Sequence, residues 1–338
     1  MSGSQRLLVI TRRINNPSFR QRIEPYIKDL ADRGIDCEVQ ELEKGRSRRA
    51  QLKAAGNYLG VWLHKKTMTM MDAFRLKRNA KKVIYEFDDA IVFRSQSESP
   101  DPQPQRLKRF NRTIACADLV IAGNQVLADL ARDSGADNIE IIPTGLDTSR
   151  YTPRVHEHEV GQIRLVWIGS ASTLKQLRQF TEMLDSLSWE LPDVMLRVIA
   201  DDELVTENLP VENLPWSREE EARMITECDI GIAPLPDTPF ARGKCAFKVL
   251  QYMASGLPVV SSPIGANAEY VNDYDNGLIA YDDRQWVDNI AQLVYDSELR
   301  STQGESGRIR AVEEFDFTVL APQVCDAIEG VLQSDSSD

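Results

Sequence analysis

Two adjacent carboxylates follow a strand-like run in the first half of the chain, where the sequence reads Tyr-Glu-Phe-Asp-Asp at residues 85–89. At the end of a strand, such a pair can bind a metal ion, orient a sugar hydroxyl or take up a proton. Alternatively, Asp88 or Asp89 only caps the segment that follows. His64 follows another such run, at residues 60–63, and would face the cleft, where it either contacts substrate or takes no part in binding it. Asp88, Asp89 and His64 are therefore the candidate catalytic residues.

Cations are concentrated where a helix is predicted to begin in the second half, in the sequence Phe-Ala-Arg-Gly-Lys-Cys-Ala-Phe-Lys at residues 240–248. A cation at a helix N-terminus is unfavourable by roughly 0.3–1 kcal/mol. The cluster of Arg242, Lys244 and Lys248 therefore predicts a bound anion that offsets this cost. A solvated basic turn is the alternative.

Two further loops could bind anions. The sequence Gly-Ser-Ala-Ser-Thr-Leu-Lys at residues 169–175 follows a strand-like run, and its small residues let the backbone approach a ligand. Lys175 in the first turn of the next helix would complete a phosphate site, although the Gly-Lys-Ser/Thr signature of a P-loop is absent. An ordinary strand–helix turn is the alternative there. Arg20 and Arg22 belong to a basic loop at residues 11–22, which is either an anion site for the acceptor or a solvated loop.

Short β-branched runs alternate with amphipathic segments of helical length along the whole chain. This alternation predicts an α/β protein with two doubly wound, Rossmann-like domains that face each other across a cleft. Ligands bind at the carboxyl ends of the strands in such sheets, which is where the four loops lie. We expect one helix over residues 19–33 and a connector over 145–161. The strand-like runs are residues 6–11, 35–42, 60–63, 82–87, 119–122, 139–142, 163–168, 195–200, 230–233, 258–261 and 278–281.

The chain has 338 residues and a formal net charge of −12, which hides an asymmetry. Residues 1–150 carry 26 Lys and Arg against 19 Asp and Glu, a net +7, whereas residues 151–338 carry 14 against 33, a net −19. With 42% hydrophobic residues the chain is not globally disordered, and no apolar run is long enough to span a membrane. We expect a cytoplasmic protein with no nucleic-acid partner and, from the wide spacing of Cys and His, no metal site.

The second half of the chain resembles the donor domain of glycosyltransferase family 4. Members of this family are nucleotide-sugar-dependent enzymes of the GT-B fold. Residues 142–147, Ile-Pro-Thr-Gly-Leu-Asp, resemble the family's Ile-Pro-Asn-Gly-Val-Asp segment. Similar matches occur in the same order along the chain. They are Ile-Gly-Ser through Lys175 at 168–175, Asp-Ile-Gly-Ile-Ala-Pro-Leu at 229–235, Tyr-Met-Ala-Ser-Gly-Leu-Pro-Val-Val at 252–260 and Ser-Pro-Ile-Gly at 262–265.

The resemblance implies that a sugar moves from a nucleotide-diphosphate sugar to a hydroxyl of a glycan, a lipid-linked or a small-molecule acceptor. It implies retention of anomeric configuration, no obligatory metal and no cofactor beyond the donor itself. The first domain, residues 1–155, would bind the acceptor, and the second, residues 156–316, would bind the donor. A helix at 317–333 would cross back to the first domain. The donor diphosphate would contact Gly169, Ser170, Lys175, Lys244, Lys248 and the amides of Cys245, Ala246 and Phe247.

One departure from the family pattern concerns its paired glutamates, which are spaced Glu-x7-Glu. The register of the match places Gly243 and Gln251 at these positions. Gln251 can still hydrogen-bond ribose hydroxyls, but Gly243 cannot replace a carboxylate. A degenerate, non-catalytic nucleotide-sugar-binding protein is therefore the alternative function. A GT-B epimerase would need more cleft carboxylates and histidines, and a dehydrogenase would need a Gly-x-Gly-x-x-Gly after the first strand.

The basic first half also has a local concentration of charge around a predicted helix. Cations at residues 65–66, 75–78 and 81–82 flank Met68, Met70, Met71 and Phe74. A solvated helix face is one interpretation. The other is peripheral contact with an anionic acceptor or an anionic membrane surface.

Overall fold

The structure, a computed structural model, describes residues 5–95, 99–156 and 161–334. Residues 157–160 of the predicted connector lie outside the described residues. Within the described residues, no helix combines the length and the apolar character needed to cross a bilayer.

Strands and helices alternate along the described chain, as the hydrophobic pattern predicts. The strands are β1 (Gln5–Thr11), β2 (Ile35–Glu41), β3 (Val61–His64), β4 (Val83–Phe87), β5 (Leu119–Ala122), β6 (Ile139–Ile141), β7 (Ile163–Ile168), β8 (Val194–Ile199), β9 (Val211–Leu214), β10 (Ile230–Ala233), β11 (Val259–Ser261) and β12 (Gly277–Ile279). The helices are α1 (Pro17–Arg22), α2 (Ile27–Asp32), α3 (Gly45–Ala54), α4 (Met70–Asn79), α5 (Pro104–Ile114), α6 (Gln125–Asp133), α7 (Ala171–Leu177), α8 (Thr181–Glu190), α9 (Glu221–Thr226), α10 (Pro239–Arg242), α11 (Phe247–Ala254), α12 (Ala266–Tyr270), α13 (Asp283–Tyr295), α14 (Ser297–Glu314) and α15 (Phe317–Gln333).

Two of these elements differ from the sequence prediction. The helix expected over residues 19–33 is divided into α1, a 3₁₀ turn at Glu24–Tyr26 and α2. Pro25 in that turn has no backbone N–H to donate, which interrupts the helical hydrogen bonds. Strand β9 was not predicted, because it is a short, half-buried edge strand that pairs only with β8 and contains Glu and Asn.

The strands form two parallel six-stranded sheets, in the orders β2-β1-β3-β4-β5-β6 and β12-β11-β10-β7-β8-β9. The predicted α/β class with two Rossmann-like sheets is thus confirmed. Each sheet is covered on both faces. Helices α3, α4, α5 and α6 pack on one face of the first sheet, and α1, α2 and α15 pack on the other. The second sheet has its own two cores, with α8 and α13 contributing to one and α9 and α11 to the other.

The chain divides into two compact units that are discontinuous in sequence. Of the described residues, the first unit contains those up to Gly145, the segment Thr238–Cys245 and those from Phe317 onward. The second unit contains Leu146–Asp237 and Ala246–Asp316. The boundary therefore lies at residue 145 rather than at the expected 155. A segment expected in the donor domain, Thr238–Cys245, belongs to the first unit instead.

Candidate functional site

In the first unit, candidate residues gather at the carboxyl edge of the sheet. Strands β1 and β3 are neighbours there, although β2 follows β1 in the chain and pairs on its opposite side. A doubly wound sheet has its ligand-binding crevice at such a reversal of strand order. Thr11 ends β1 and His64 ends β3, so both lie at this position.

His64 is buried among hydroxyl and carboxylate groups at this edge. Its Nδ1 lies 2.9 Å from Thr11 Oγ1, and its Nε2 lies 2.9 Å from Ser18 Oγ and 3.5 Å from Glu86 Oε2. Burial, opposed in part by Asp88, lowers the pKa of His64 to about 4, so the ring is neutral near pH 7. The side chain is 1% exposed. The expectation that it contacts substrate stays a prediction, and in this structure the ring organises its protein neighbours.

Asp88 and Asp89 share one cation, Lys65, which in the sequence stands out only as part of the basic run at residues 65–66. Lys65 Nζ lies 2.7 Å from Asp88 Oδ1 and also contacts Asp89 Oδ2. Burial alone would raise the pKa of Asp88, but Lys65, together with His64 and a hydrogen bond from Ser18, holds that pKa well below its usual range. The spacing gave no signal for this pairing, because Lys65 and the two aspartates follow different strands. Both carboxylates remain partly accessible, so they can reach a bound ligand.

The backbone of Lys65 is unusual for a residue with a side chain. Its φ is 55°, in the left-handed region, and its amide donates to the Glu86 carbonyl oxygen at 2.7 Å. Non-glycine residues in this region carry strain, and such strain is concentrated at functional sites. The conformation turns the chain directly after β3, where the ammonium group meets the carboxylates that follow β4.

Arg22 does not form the anion site expected in the basic loop, because its guanidinium group is paired with a carboxyl group of the protein itself, that of Glu86. Its Nε donates to Glu86 Oε1 at 2.5 Å, and its Nη1 donates to the Ile142 carbonyl oxygen at 2.8 Å. Both side chains of this pair are almost fully buried. Burial outweighs the guanidinium group and raises the pKa of Glu86 to about 7. Arg20, on the same short helix, is half-buried, and its assignment to an acceptor anion stays a prediction.

The segment Thr238–Cys245 belongs to the first unit because it packs against that unit's strand ends. Cys245 Sγ donates to the Asp88 carbonyl oxygen at 3.4 Å, and Asn124 Nδ2 donates to the Lys244 carbonyl oxygen at 3.1 Å. Gly243 is required by close packing, since an added Cβ would lie 2.6 Å from Ala90 Cβ. The basic run at 240–248 is thus divided between α10, a turn and α11, rather than forming one helix start.

In the second unit, α11 begins at a strained backbone position. Ala246, its N-cap residue, has φ 47° and supplies no side-chain hydrogen bond to the helix amides, and the first turn contains no acidic residue. Lys248 Nζ lies 4.7 Å from the ring centroid of Trp167, which is part of β7. A cation and helix amides on one short segment are suited to bind phosphate. The assignments of Ala246, Phe247 and Lys248 to a donor diphosphate are compatible with this geometry.

The side chains of the loop after β7 form hydrogen bonds to the backbone of the same loop. Ser170 and Thr173 form a reciprocal capping box, in which each side chain accepts a hydrogen bond from the other residue's amide. Gly169 is needed because a Cβ would overlap the ring of Trp167 and the hydroxyl of Thr173. Lys175 is exposed in α7. Ser170 therefore acts as a helix cap, and Lys175 keeps its expected role as a prediction.

Gln251 lies in a buried polar cluster whose carboxylate the sequence analysis missed. Its Nε2 donates to Tyr151 Oη at 3.1 Å and to Glu221 Oε2 at 3.3 Å. The same Glu221 oxygen accepts from Trp216 Nε1 at 2.8 Å, and Arg150 Nη1 lies 3.4 Å from the other oxygen. Glu221 belongs to a run of three glutamates that looks like a solvated helix start, so no pattern in the sequence singled it out. Among the described residues there is no group of three His, Cys, Asp or Glu side chains arranged to hold a metal ion.

Comparisons with known proteins find a family model and a curated protein to which this chain is similar. Residues 150–296 match the family model described as "Glycosyl transferases group 1". D-inositol 3-phosphate glycosyltransferase from Corynebacterium aurimucosum is 24% identical over 264 residues, which are 69% of this chain and 61% of the relative. The chain thus spans less than two thirds of the length of that curated relative.

Solved structures resemble nearly the whole chain. Sucrose-phosphate synthase from Thermosynechococcus elongatus superposes with a TM-score of 0.75 at 15% identity, covering 98% of this chain and 100% of the other. Anabaena HepE in complex with UDP and glucose superposes with a TM-score of 0.74 at 16% identity, covering 96% and 100%. Likeness at this level of identity shows a shared fold.

Proposed function

We propose that this chain, a GT-B protein whose residues 150–296 match the group 1 glycosyl transferases, transfers a sugar from a nucleotide-diphosphate sugar to an acceptor hydroxyl. The observation that carries the proposal is this match, which contains β7, the loop after it and all of α11. The acceptor is a glycan, a lipid-linked sugar or a small molecule.

The donor half of the proposal concerns charge on the leaving group. When the bond between the sugar and the diphosphate breaks, two phosphates must accept the bonding electrons. Lys248 and the first amides of α11 supply fixed positive potential for this charge, with Lys175 of the same unit as a further cation. These groups can replace a divalent metal in that role, so we propose a metal-independent transfer. In line with the resemblance, we also propose that it retains the anomeric configuration.

The acceptor half of the proposal concerns Asp88. A carboxylate whose pKa is held far below neutrality by Lys65 is a weak base but remains a good hydrogen-bond acceptor. Asp88 would therefore orient the acceptor hydroxyl rather than keep its proton. The hydroxyl oxygen forms the new bond to the anomeric carbon as the diphosphate departs, and the proton passes to a diphosphate oxygen. Asp89, which shares the same lysine, would support the orientation of Asp88.

UDP-sugars are the first donors to test, because the HepE structure contains UDP and glucose. A panel of UDP-, GDP-, ADP- and TDP-sugars should raise the melting temperature for one base class only. Calorimetry then tests the site: Lys175→Ala and Lys248→Ala should each weaken binding of the nucleoside diphosphate about fivefold or more. Arg284→Ala, which removes an exposed cation of the same unit, is the matched control. Unchanged affinity in both lysine variants would contradict the donor-site assignment.

A non-catalytic nucleotide-sugar binder is the second candidate, and two observations favour it. The position of the first family glutamate is Gly243, where packing leaves no room for a side chain, and Gln251 donates to protein groups. Product analysis separates the two functions. Transfer to an acceptor, or slow release of free sugar from the bound donor, supports the enzyme. Tight donor binding with neither reaction supports the binder.

A further inference from the structure

Three consecutive helices of the first unit cover the same face of its sheet. Helices α3, α4 and α5 place Leu52, Leu76 and Phe110 in one core with the sheet residues Val61 and Tyr85. Their outer sides therefore point away from the sheet together. We call this outer surface the α3–α5 face.

The α3–α5 face is almost without acidic groups. The three helices contain eleven Lys and Arg but a single acidic residue, Asp72. Asp72 is buried and lies 3.1 Å from Arg48 Nη1 and 3.6 Å from Arg75 Nη1, so it contributes no exposed negative charge. The exposed cations are Arg46, Arg49, Lys53, Lys77, Arg78, Arg106, Lys108, Arg109 and Arg112.

Three large apolar side chains stand among these cations on α4. Met70, Met71 and Phe74 are 64%, 52% and 60% exposed, while Ala73 and Leu76 of the same helix are buried. No other five-residue stretch of the described chain exposes three large apolar side chains. Single exposed apolar residues are normal on a soluble surface, but a cluster of this size is typical of a docking site.

Cations also crowd one another at the edge of this face. Burial, together with Arg12, Arg48 and Arg109, lowers the pKa of Lys66. Helix α3 has Lys44 as its N-cap residue, Arg46 in its first turn and no acidic residue in that turn, an unfavourable arrangement for the helix dipole. An anionic partner at this edge would relieve both conflicts.

We propose that the α3–α5 face docks on an anionic phospholipid bilayer, with Met70, Met71 and Phe74 entering the interfacial layer and the surrounding cations contacting lipid phosphates. A nucleic acid or an acidic polysaccharide would match the cations alone. The apolar cluster inside the basic rim is what selects a bilayer. Helix α4 starts at the carboxyl edge of the sheet, so docking would hold the end of the unit that carries Lys65 and Asp88 towards the lipid.

Vesicle flotation tests this docking without any sugar transfer, so it fails or succeeds independently of the proposed enzyme activity. The full chain is mixed with vesicles of phosphatidylcholine alone, or of phosphatidylcholine with phosphatidylglycerol. Binding should require the anionic lipid and should weaken with added salt. The triple substitution Met70→Ser, Met71→Ser and Phe74→Ser should lower partitioning about tenfold or more. The triple substitution Arg46→Gln, Arg49→Gln and Lys53→Gln should lower it about fivefold for each cation that contacts lipid.

The matched control removes three aromatic side chains of the second unit that are more exposed still, by Trp189→Ser, Tyr281→Ser and Tyr295→Ser, and should bind as the wild type does. Unchanged far-UV circular dichroism verifies that each variant is folded. Three results would overturn the proposal: binding that is independent of anionic lipid, a serine variant of α4 that binds normally, or binding of heparin without binding of vesicles.

Discussion

The ammonium group of Lys65 lies 2.7 Å from Asp88 Oδ1 and also contacts Asp89, so one cation that follows β3 holds both carboxylates that follow β4. Lys65 and Asp88 each shift the pKa of the other. The carboxylates keep the pKa of Lys65 above its ordinary value although burial would lower it, and Lys65 keeps that of Asp88 low. Asp88 is therefore a fixed, ionised acceptor of hydrogen bonds.

Replacing Lys65 by Met should raise the pKa of Asp88, so that this carboxylate takes up a proton at a higher pH than in the wild type. Burial is the largest influence on the pKa of Asp88 and acts to raise it once the lysine is absent. The acid limb of the pH–rate profile of Lys65→Met should therefore move to higher pH. Asp88→Asn should reduce turnover more than it reduces donor binding. Lys28→Met, which removes a lysine from an exposed surface ion pair, is the control for Lys65→Met. A pH–rate profile that is identical in Lys65→Met and the wild type would contradict this role.

His64 should make the protein less stable in mild acid. Its folded pKa of about 4 lies below the ordinary value of 6.5, so the stability it contributes is complete above pH 6.5 and is lost as the pH falls towards 4. Between neutral pH and about pH 4.5, the wild type should lose about 2–3 kcal/mol of unfolding free energy relative to His64→Gln. Urea unfolding at the two pH values measures the difference. Parallel pH dependence of the two proteins would show that the ring titrates normally.

Gln251 and Glu221 should be energetically coupled. Gln251→Glu would place a second carboxylate beside Glu221 Oε2, now 3.3 Å from the amide nitrogen, at a buried site. We expect a loss of about 2–3 kcal/mol of unfolding free energy. Adding Glu221→Gln should recover most of that loss, because one carboxylate and one amide then face each other again. A double-mutant cycle by urea denaturation measures the coupling, and additive effects would contradict it.

Gly243 should tolerate no side chain. The first glutamate of the Glu-x7-Glu pattern, which the resemblance aligns with Gly243, would therefore not fit at this position. A Cβ there would lie 2.6 Å from Ala90 Cβ and 3.0 Å from Leu127 Cδ2. Gly243→Ala should cost about 1–3 kcal/mol, and Gly243→Glu more. Gly330→Ala, in open space on α15, should instead stabilise by about 0.5–1 kcal/mol through helix propensity. Thermal unfolding compares the two, and a neutral Gly243→Ala would show that the local packing relaxes freely.

Much of the fold could be predicted because the signals are local. The alternation of β-branched runs and amphipathic segments is a property of ten to twenty neighbouring residues, and it identified eleven of the twelve strands. The missed strand, β9, is half-buried at a sheet edge. Its polar residues interrupt the run of apolar, β-branched residues by which the other strands were predicted. The candidate site could be predicted only as far as the loops: both aspartates and Lys248 are candidates from the sequence and stay predictions, whereas Lys65 stands out only as part of a basic run and Glu221 not at all.

The sequence by itself determined the two parallel sheets, the basic first half and the loops at the strand ends. Hydrophobic periodicity and charge depend only on each residue and its near neighbours in the chain. Tertiary structure decided which charges meet. Arg22 and Glu86 are 64 residues apart, and Cys245 contacts the backbone of Asp88 across 157 residues. Parallel strands carry distant segments to one sheet edge, and burial there sets which groups stay ionised. Neither effect has a counterpart in the spacing of residues along the chain.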